Sequence, residues 1–204
     1  MYSPKEQKTY WEERASKLGK TAVGYADQNI VTQDKLYKER MDFIFKYVDR
    51  ELATIDYGCG IGRYTPEFTR SYIGLDMTKN LLDIAKEANP KAKYRLIQDV
   101  IPIEEDFLAL GGELRQFFTA TVLQHCSAVV VTNILKRLSN TGFENFTFCF
   151  YENSMPFVKN HVAGRFPESY NKFVREAGFK IEKWDFHTHT VKGEDHSLTR
   201  IKVA

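Results

Sequence analysis

The chain has few cysteines, and those it has are scattered. Cys59, Cys126 and Cys149 form an odd set with wide spacing. That argues against a disulfide framework and against a Cys-x-x-Cys metal site, and it favours a reducing compartment. No apolar run approaches the roughly 18–20 residues of a membrane span. The first residues, MYSPKEQKTYWEERASK, contain no apolar signal-peptide core. A cytoplasmic protein with no membrane association is therefore expected. Neither sign of charge dominates: 29 Lys and Arg stand against 27 Asp and Glu, for a net charge of +2. Without a long basic run, sequence-specific nucleic-acid binding is not expected. Internal repeats and low-complexity linkers are also missing.

What is present is a chain of 204 residues, 43% hydrophobic, enough for one medium domain with a sizeable core. Ser3-Pro4-Lys5-Glu6 reads as a helix start: a serine cap, proline at the first helical position, and glutamate three residues after the cap. That helix should run to about Leu18, followed by a loop over 19–31. Thr32 is expected to cap a second helix, in which Leu36, Arg40, Phe43, Ile44 and Tyr47 share one stripe. From ELATIDYG onward, strands and helices alternate. SYIGLDM, KYRLIQDV, RQFFTATV and ENFTFCFYEN read as further strands. TPEFTR reads as a short helix, TKNLLDIAKEA as a helix beginning at Thr78, SAVVVTNILKRLSN as a helix capped by Ser127, and PESYNKFVREAGF as a helix closed by Gly178. KIEKWDFHTHT and HSLTRIKVA should form an antiparallel hairpin across VKGED. The fold class is therefore α/β: a doubly wound, mostly parallel seven-stranded sheet ending in an antiparallel pair. Residues 1–50 are expected to form N-terminal helices on the substrate side, and residues 51–204 a compact core.

The densest local signal is TIDYGCGIGRY, residues 54–64. Gly58, Gly60 and Gly62 fall at every second position. Glycine is conformationally costly, and here it lets the backbone turn tightly and approach a ligand. Ligands in such sheets bind at the carboxyl ends of the strands. Amides at the start of the next helix are expected to face a ligand carboxylate or phosphate. Asp76 ends the second strand, where a carboxylate can accept both hydroxyls of a ribose. Asp56 sits inside the first strand; buried, it should be tied to loop amides or to a ligand ammonium group. Together these residues predict a nucleoside-containing cofactor. The dinucleotide fingerprint GxGxxG is broken, since Arg63 stands where its third glycine belongs.

The pattern present is DxGxGxG. DYGCGIGR followed by YIGLDMT resembles the first two motifs of the class I S-adenosylmethionine-dependent methyltransferases. LIQDV, FFTATVLQH, ESYNKFVREAGFKIEKW and YWEERA resemble later and flanking pieces of the same family in order, so the likeness covers about residues 8–204. It implies a Rossmann-like methyltransferase fold with S-adenosylmethionine as cofactor and S-adenosylhomocysteine as product. Carried residue by residue, it implies that Asp56, Gly58, Cys59, Gly60, Gly62 and Arg63 form the cofactor loop. Asp76 and Met77 would meet the ribose side, Asp99 and Val100 the adenine, and Thr119 and Ala120 the methionine part. The N-terminal segment, with Tyr10, Trp11 and Tyr25, would form a lid on the substrate side. Two departures stand out. Only 14 residues separate Gly62 from Asp76, so the first crossover helix should be short. The fourth strand opens with Gln116 where the family usually carries an acid.

His125 falls just after the fourth strand, placed to act as a general base toward a hydroxyl or amine; the competing reading is a histidine that caps or packs the next helix. Glu152 ends the fifth strand and is a candidate substrate contact. Cys59 is read as packing within the loop, not as a nucleophile. His187, His189 and His196 are read as solvated, with no metal expected. The chain has no Pro-Pro or Pro-Cys pair, which disfavours the amino- and cytosine-C5 nucleic-acid methyltransferases that the family also contains. A small-molecule acceptor, methylated at oxygen or nitrogen, is therefore expected. A non-catalytic methyltransferase-like binding module and a nicotinamide-dependent oxidoreductase are the competing functions.

Overall fold

A computed structural model describes residues 4–23, 30–98, 105, 115–140, 147–153, 170–188 and 195–202. Seven strands form one sheet: β1 Thr54–Tyr57, β2 Tyr72–Asp76, β3 Lys93–Leu96, β4 Gln116–Ala120, β5 Thr147–Asn153, β6 Lys180–Thr188 and β7 Asp195–Lys202. Their spatial order is β3-β2-β1-β4-β5-β7-β6. The pairs from β3 to β5 are parallel, and β7 runs antiparallel to both β5 and β6. The chain winds outward from β1 to β3 and then returns to β4 on the other side of β1. The topological switch therefore lies between β1 and β4. The late hairpin is present, and β7 is not its outer strand: it inserts between β5 and β6.

Five α-helices are described: α1 Pro4–Leu18, α2 Ile30–Ile44, α3 Lys79–Ala88, α4 Ala128–Ser139 and α5 Tyr170–Glu176. The Ser127 hydroxyl accepts the amide of Val130 and caps α4. Gly178, at φ +82°, follows α5. Two expectations need correction. α2 already includes Ile30, so Thr32 lies within the helix, two residues after its start. The stretch TPEFTR forms only a single 3₁₀ turn, Thr65–Glu67, because the short crossover leaves no room for an α-helix. No helix among the described residues is long and apolar enough to cross a membrane.

Successive strand residues point to opposite faces, and both faces are covered. On one face Ile55, Tyr57, Phe117, Phe148 and Phe150 pack with Val131, Ile134, Leu135 and Leu138 of α4 and with Phe173 and Val174 of α5. On the other, Phe118, Ala120, Cys149 and Tyr151 pack with Phe43 and Ile44 of α2 and with Tyr64 and Phe68. Gln116, at the start of β4, is buried and fully used. Its amide nitrogen donates to the Asp49 carbonyl and the Thr54 hydroxyl, and its oxygen accepts the Asp49 amide. A carboxylate at 116 could not make the two donations, which accounts for glutamine at this position.

Gly74, in the middle of β2, decides how closely the glycine loop seats on the sheet. A Cβ there would lie 2.7 Å from the Cys59 Sγ and 2.7 Å from the Tyr94 ring. Gly74→Ala should cost about 1–3 kcal/mol of stability through overpacking, read as a lower urea midpoint with an unchanged far-ultraviolet circular dichroism spectrum.

Candidate functional site

The turn after β1 carries three left-handed glycines, Gly58, Gly60 and Gly62, at φ +70°, +54° and +71°. Two of them also have no room for a side chain. A Cβ on Gly58 would lie 2.4 Å from a Val122 methyl, and one on Gly62 would meet the Tyr94 hydroxyl at 2.7 Å. The loop is held down by the next strand: the amides of Gly58 and Cys59 both donate to the Leu75 carbonyl, at 2.7 and 3.0 Å. Sequence reasoning expected free amides at a helix start. Instead no α-helix follows, and the Gly62 amide turns back onto the Cys59 carbonyl.

Asp76 closes the loop. Its Oδ2 accepts the Gly60 amide at 2.9 Å and its Oδ1 accepts the Thr78 amide at 2.8 Å. The Thr78 side chain bonds the same carboxylate, which leaves acceptor capacity for a ligand hydroxyl out of its roughly four lone pairs. Burial raises its pKa, opposed by the amides of Thr78 and Gly60. Asp56 is 2% exposed, and of its two expected partners the loop amides are not the one it meets. It accepts no loop amide; its Oδ2 takes the Tyr72 hydroxyl at 2.9 Å. Tyr72 in turn accepts from Thr65, which shares a 2.9 Å hydrogen bond with the Tyr94 hydroxyl. Burial pushes the Asp56 carboxyl up to about 7, partly offset by the Tyr72 hydrogen bond, with the charge of Asp76 adding to the rise.

The opposite wall comes from the turn after β4. Thr121 adopts a left-handed φ of +60°, an uncommon conformation for a β-branched residue that marks stored strain. Beneath it, Glu152 accepts the amides of Val122, Leu123 and Gln124 at 3.3, 3.0 and 3.0 Å. The side chain is fully buried, and burial pushes its carboxyl up to about 8 against the pull of those amides. Glu152 thus lies under the turn, not on the substrate side where the strand-end position had suggested it. It aims Gln124 and His125 at the space above the glycines.

One cavity joins these parts. It is lined by Asp56, Gly58, Cys59, Gly60, Arg63, Asp76, Met77, Ala120 and His125, and by Tyr10 and Trp11 of α1. Thr119 is buried within the sheet and does not line it, whereas Ala120 and Thr121 do. Asp99, Val100, Tyr25 and His189 lie outside the described residues. Trp11 stands edge-on to the His125 ring at 5.5 Å, and Gln7 donates to the His125 carbonyl. The Glu12 carboxylate accepts the Lys79 amide at the start of α3, so α1 is fastened across the cavity mouth. Burial raises the Cys59 thiol pKa well above its ordinary value, which keeps it protonated and poorly nucleophilic. Among the described residues no group of three His, Cys, Asp or Glu side chains could hold a metal.

Sequence reasoning missed several cavity residues. Arg14, Tyr37, Arg40 and Tyr64 also line it. Arg40 had a legible signal: it is the one charged residue in the otherwise apolar and aromatic stripe of α2. Tyr37 lies three positions before it, hence on the same helix face.

The same fold occurs in solved structures. An S-adenosylmethionine-dependent methyltransferase of the DUF858 family from Leishmania major superimposes with a TM-score of 0.69 at 16% identity, covering 98% of this chain and 85% of the other. One from Anabaena variabilis gives 0.68 at 18% identity, covering 95% and 93%. Magnesium protoporphyrin IX methyltransferase from Synechocystis with bound S-adenosylmethionine gives 0.67 at 13% identity, covering 98% and 97%. The fold is the Rossmann-like methyltransferase fold. At the sequence level, no family model and no curated protein matches the chain.

Above pH 8, where the Glu152 carboxyl is ionised, Glu152→Gln replaces an acceptor of three amides with a group that is part donor. At least one amide then loses its partner, at a cost of about 1–3 kcal/mol. Hydrogen exchange should show faster exchange at residues 122–124, with the β1–β2 amides unchanged.

Proposed function

We propose that this chain is an S-adenosylmethionine-dependent methyltransferase acting on an oxygen or nitrogen atom of a small-molecule acceptor. The observation that carries the reading is the closure of a left-handed triple-glycine loop onto the buried Asp76 at the switch point of the sheet. The residues present fit the cofactor. A cradle that a Cβ would fill lies beside a carboxylate with acceptor capacity left for a ribose hydroxyl, and Met77, Leu81 and Ile97 supply apolar wall for a flat base. Asp56 is suited to the ammonium group, and Arg63, just past the last glycine, to the carboxylate. A buried thiol at each of Cys59, Cys126 and Cys149 fits a cytoplasmic setting.

When bound, the cofactor supplies a methyl group on a sulfonium centre with a neutral thioether as leaving group. The protein then has to hold the acceptor atom in line and keep water out. α1 does the latter by laying Trp11 and Tyr10 over the cavity. His125, in the cavity wall and oriented by Gln7, Gln124 and Trp11, takes the proton of an O–H or N–H acceptor when one must be removed. The pairing of Asp76 with a ribose is shared with a nicotinamide enzyme, so the test has to separate the two.

Calorimetric titration should show micromolar binding of S-adenosylmethionine and S-adenosylhomocysteine and none of NADH. Asp76→Asn should weaken both by about 100-fold, the scale of two hydrogen bonds to a charged group, with circular dichroism confirming the fold. Binding of NADH alone would sink the proposal.

Asp56 adds a pH dependence. Its folded carboxyl titrates near 7, well above the ordinary 3.8, so in the free protein this group costs stability as pH rises from about 4 through 7. A bound ammonium group favours the ionised form. Affinity for S-adenosylhomocysteine should therefore rise with pH and level off above about 8, falling roughly fivefold from pH 7 to pH 6. Asp56→Asn should flatten that profile; an unchanged slope would detach Asp56 from the ligand.

A further inference from the structure

We propose that a one-way chain of hydroxyl groups, from Tyr94 to Thr65 to Tyr72, holds Asp56 as the carboxylate that binds the ammonium group of the cofactor. Tyr72 and Thr65 are then positioning residues for cofactor affinity; this rests on the methyltransferase reading above. The direction of the chain follows from counting protons, because each hydroxyl has one to give. An ionised Asp56 only accepts, so the Tyr72 hydroxyl donates to its Oδ2 at 2.9 Å. The Tyr72 oxygen then accepts from the Thr65 hydroxyl at 3.0 Å. Thr65 has no second proton, so Tyr94 is the donor across their 2.9 Å contact. Asn89 anchors the far end: its side chain bonds the Tyr94 hydroxyl, and its amide nitrogen donates to the Gly62 carbonyl at 3.1 Å. Every O–H in the chain thus points toward the carboxylate. Only a protonated Asp56 allows the reverse direction, which ends on no charged acceptor and is weaker for that reason.

The bonding of Asp56 sets it apart from the other buried acids. Asp76 and Glu152 serve backbone amides, whereas the one hydrogen bond to the Asp56 side chain among the described residues comes from Tyr72. Asp56 lines the cavity; Tyr72 and Thr65, both buried, do not. The two hydroxyls therefore act on a ligand only through the carboxylate they serve. Other ionisable groups surround Asp56. Cys59 and Tyr64 of the loop, Tyr72 of β2 and Tyr94 of β3 are all held neutral by burial, which raises each of them. Arg14 of α1, Arg40 of α2 and Arg63 line the same cavity and keep their charge throughout the neutral range. Asp76 faces the ribose side, and His125 stands in the opposite wall.

Calorimetric titration with two ligands, from about pH 6 to about 8.5, tests this. S-adenosylhomocysteine carries the ammonium group; 5′-methylthioadenosine shares its adenosine and thioether but has neither ammonium nor carboxylate. The ratio of their affinities isolates the amino-acid end, because the ribose facing Asp76 is common to both. In Tyr72→Phe, loss of one hydrogen bond to a charged group should move the pH profile of that ratio up by about one unit: the ratio falls about fivefold at pH 7 and stays within about twofold of native at pH 8.5. The affinity for 5′-methylthioadenosine should stay within about twofold at every pH. Thr65→Val should shift the profile the same way by less, since it removes only the donor behind Tyr72, and Thr65→Ser, which keeps the hydroxyl, should restore the native profile. An unmoved ratio in a folded Tyr72→Phe protein overturns the proposal. So does a ratio lowered equally at all pH values, or a parallel loss of 5′-methylthioadenosine, either of which would make Tyr72 merely structural. If Tyr72→Phe does not fold, the contrast between Thr65→Val and Thr65→Ser decides. A native chain that binds neither ligand defeats the methyltransferase reading itself, and is distinguishable from every outcome above.

Discussion

The site depends on one buried carboxylate. Asp76 holds the Gly60 amide with one oxygen and the Thr78 amide with the other, so a single side chain joins the glycine loop to the start of α3. The loop could not settle this way with ordinary residues. Three left-handed positions within five residues would each be strained for an L side chain, and Val122 presses directly on Gly58. The loop is therefore pinned from two sides, by Asp76 beneath and by the post-β4 turn above. That turn is itself pinned by Glu152. Two carboxylates, each serving backbone amides instead of a counterion, define the floor and the far wall of the same cavity.

The cavity is electrically divided. Its acids, Asp56 and Asp76, stand at the strand ends, and both are pushed toward the neutral form by burial. The guanidinium groups come from α1, α2 and the residue after the loop. Such a division favours a ligand with opposite charges at separate points and penalises one that is uniformly charged. Tyr72, Thr65 and Tyr94 extend the acidic end outward as a chain of hydroxyls. That chain gives Asp56 a fixed donor that remains in place whether or not a cation faces it.

Local signals served well where the chemistry is local. The glycine spacing, the strand-ending Asp76, the Ser127 cap, the short first crossover and the late hairpin were all legible, because each rests on neighbours within a few residues. Glu152 was misjudged for the opposite reason. Its partners are about thirty positions away, and a strand-end acid looks the same in sequence whether it faces a ligand or a distant set of amides. The Asp56 partner was missed in the same way: the hydroxyl comes from Tyr72 on the adjacent strand, through a parallel register that sequence does not fix. Thr32 shows the limit of cap residues, and Arg40 the value of a charge inside an apolar stripe.

The position of β7 has a consequence for the order in which the chain can assemble. β7 bonds β5 on one side and β6 on the other, so β6 has no partner in the sheet until residues 195–202 are available. During synthesis, β5 emerges before β7 and carries Glu152 along an open edge. The turn that Glu152 clasps can close on the β4 side earlier, but the strand holding Glu152 gains its second neighbour only once β7 has been made. The wall of the cavity is thus completed by a segment that follows Glu152 by more than forty residues, and a nascent chain would expose an unpaired, largely apolar strand until then.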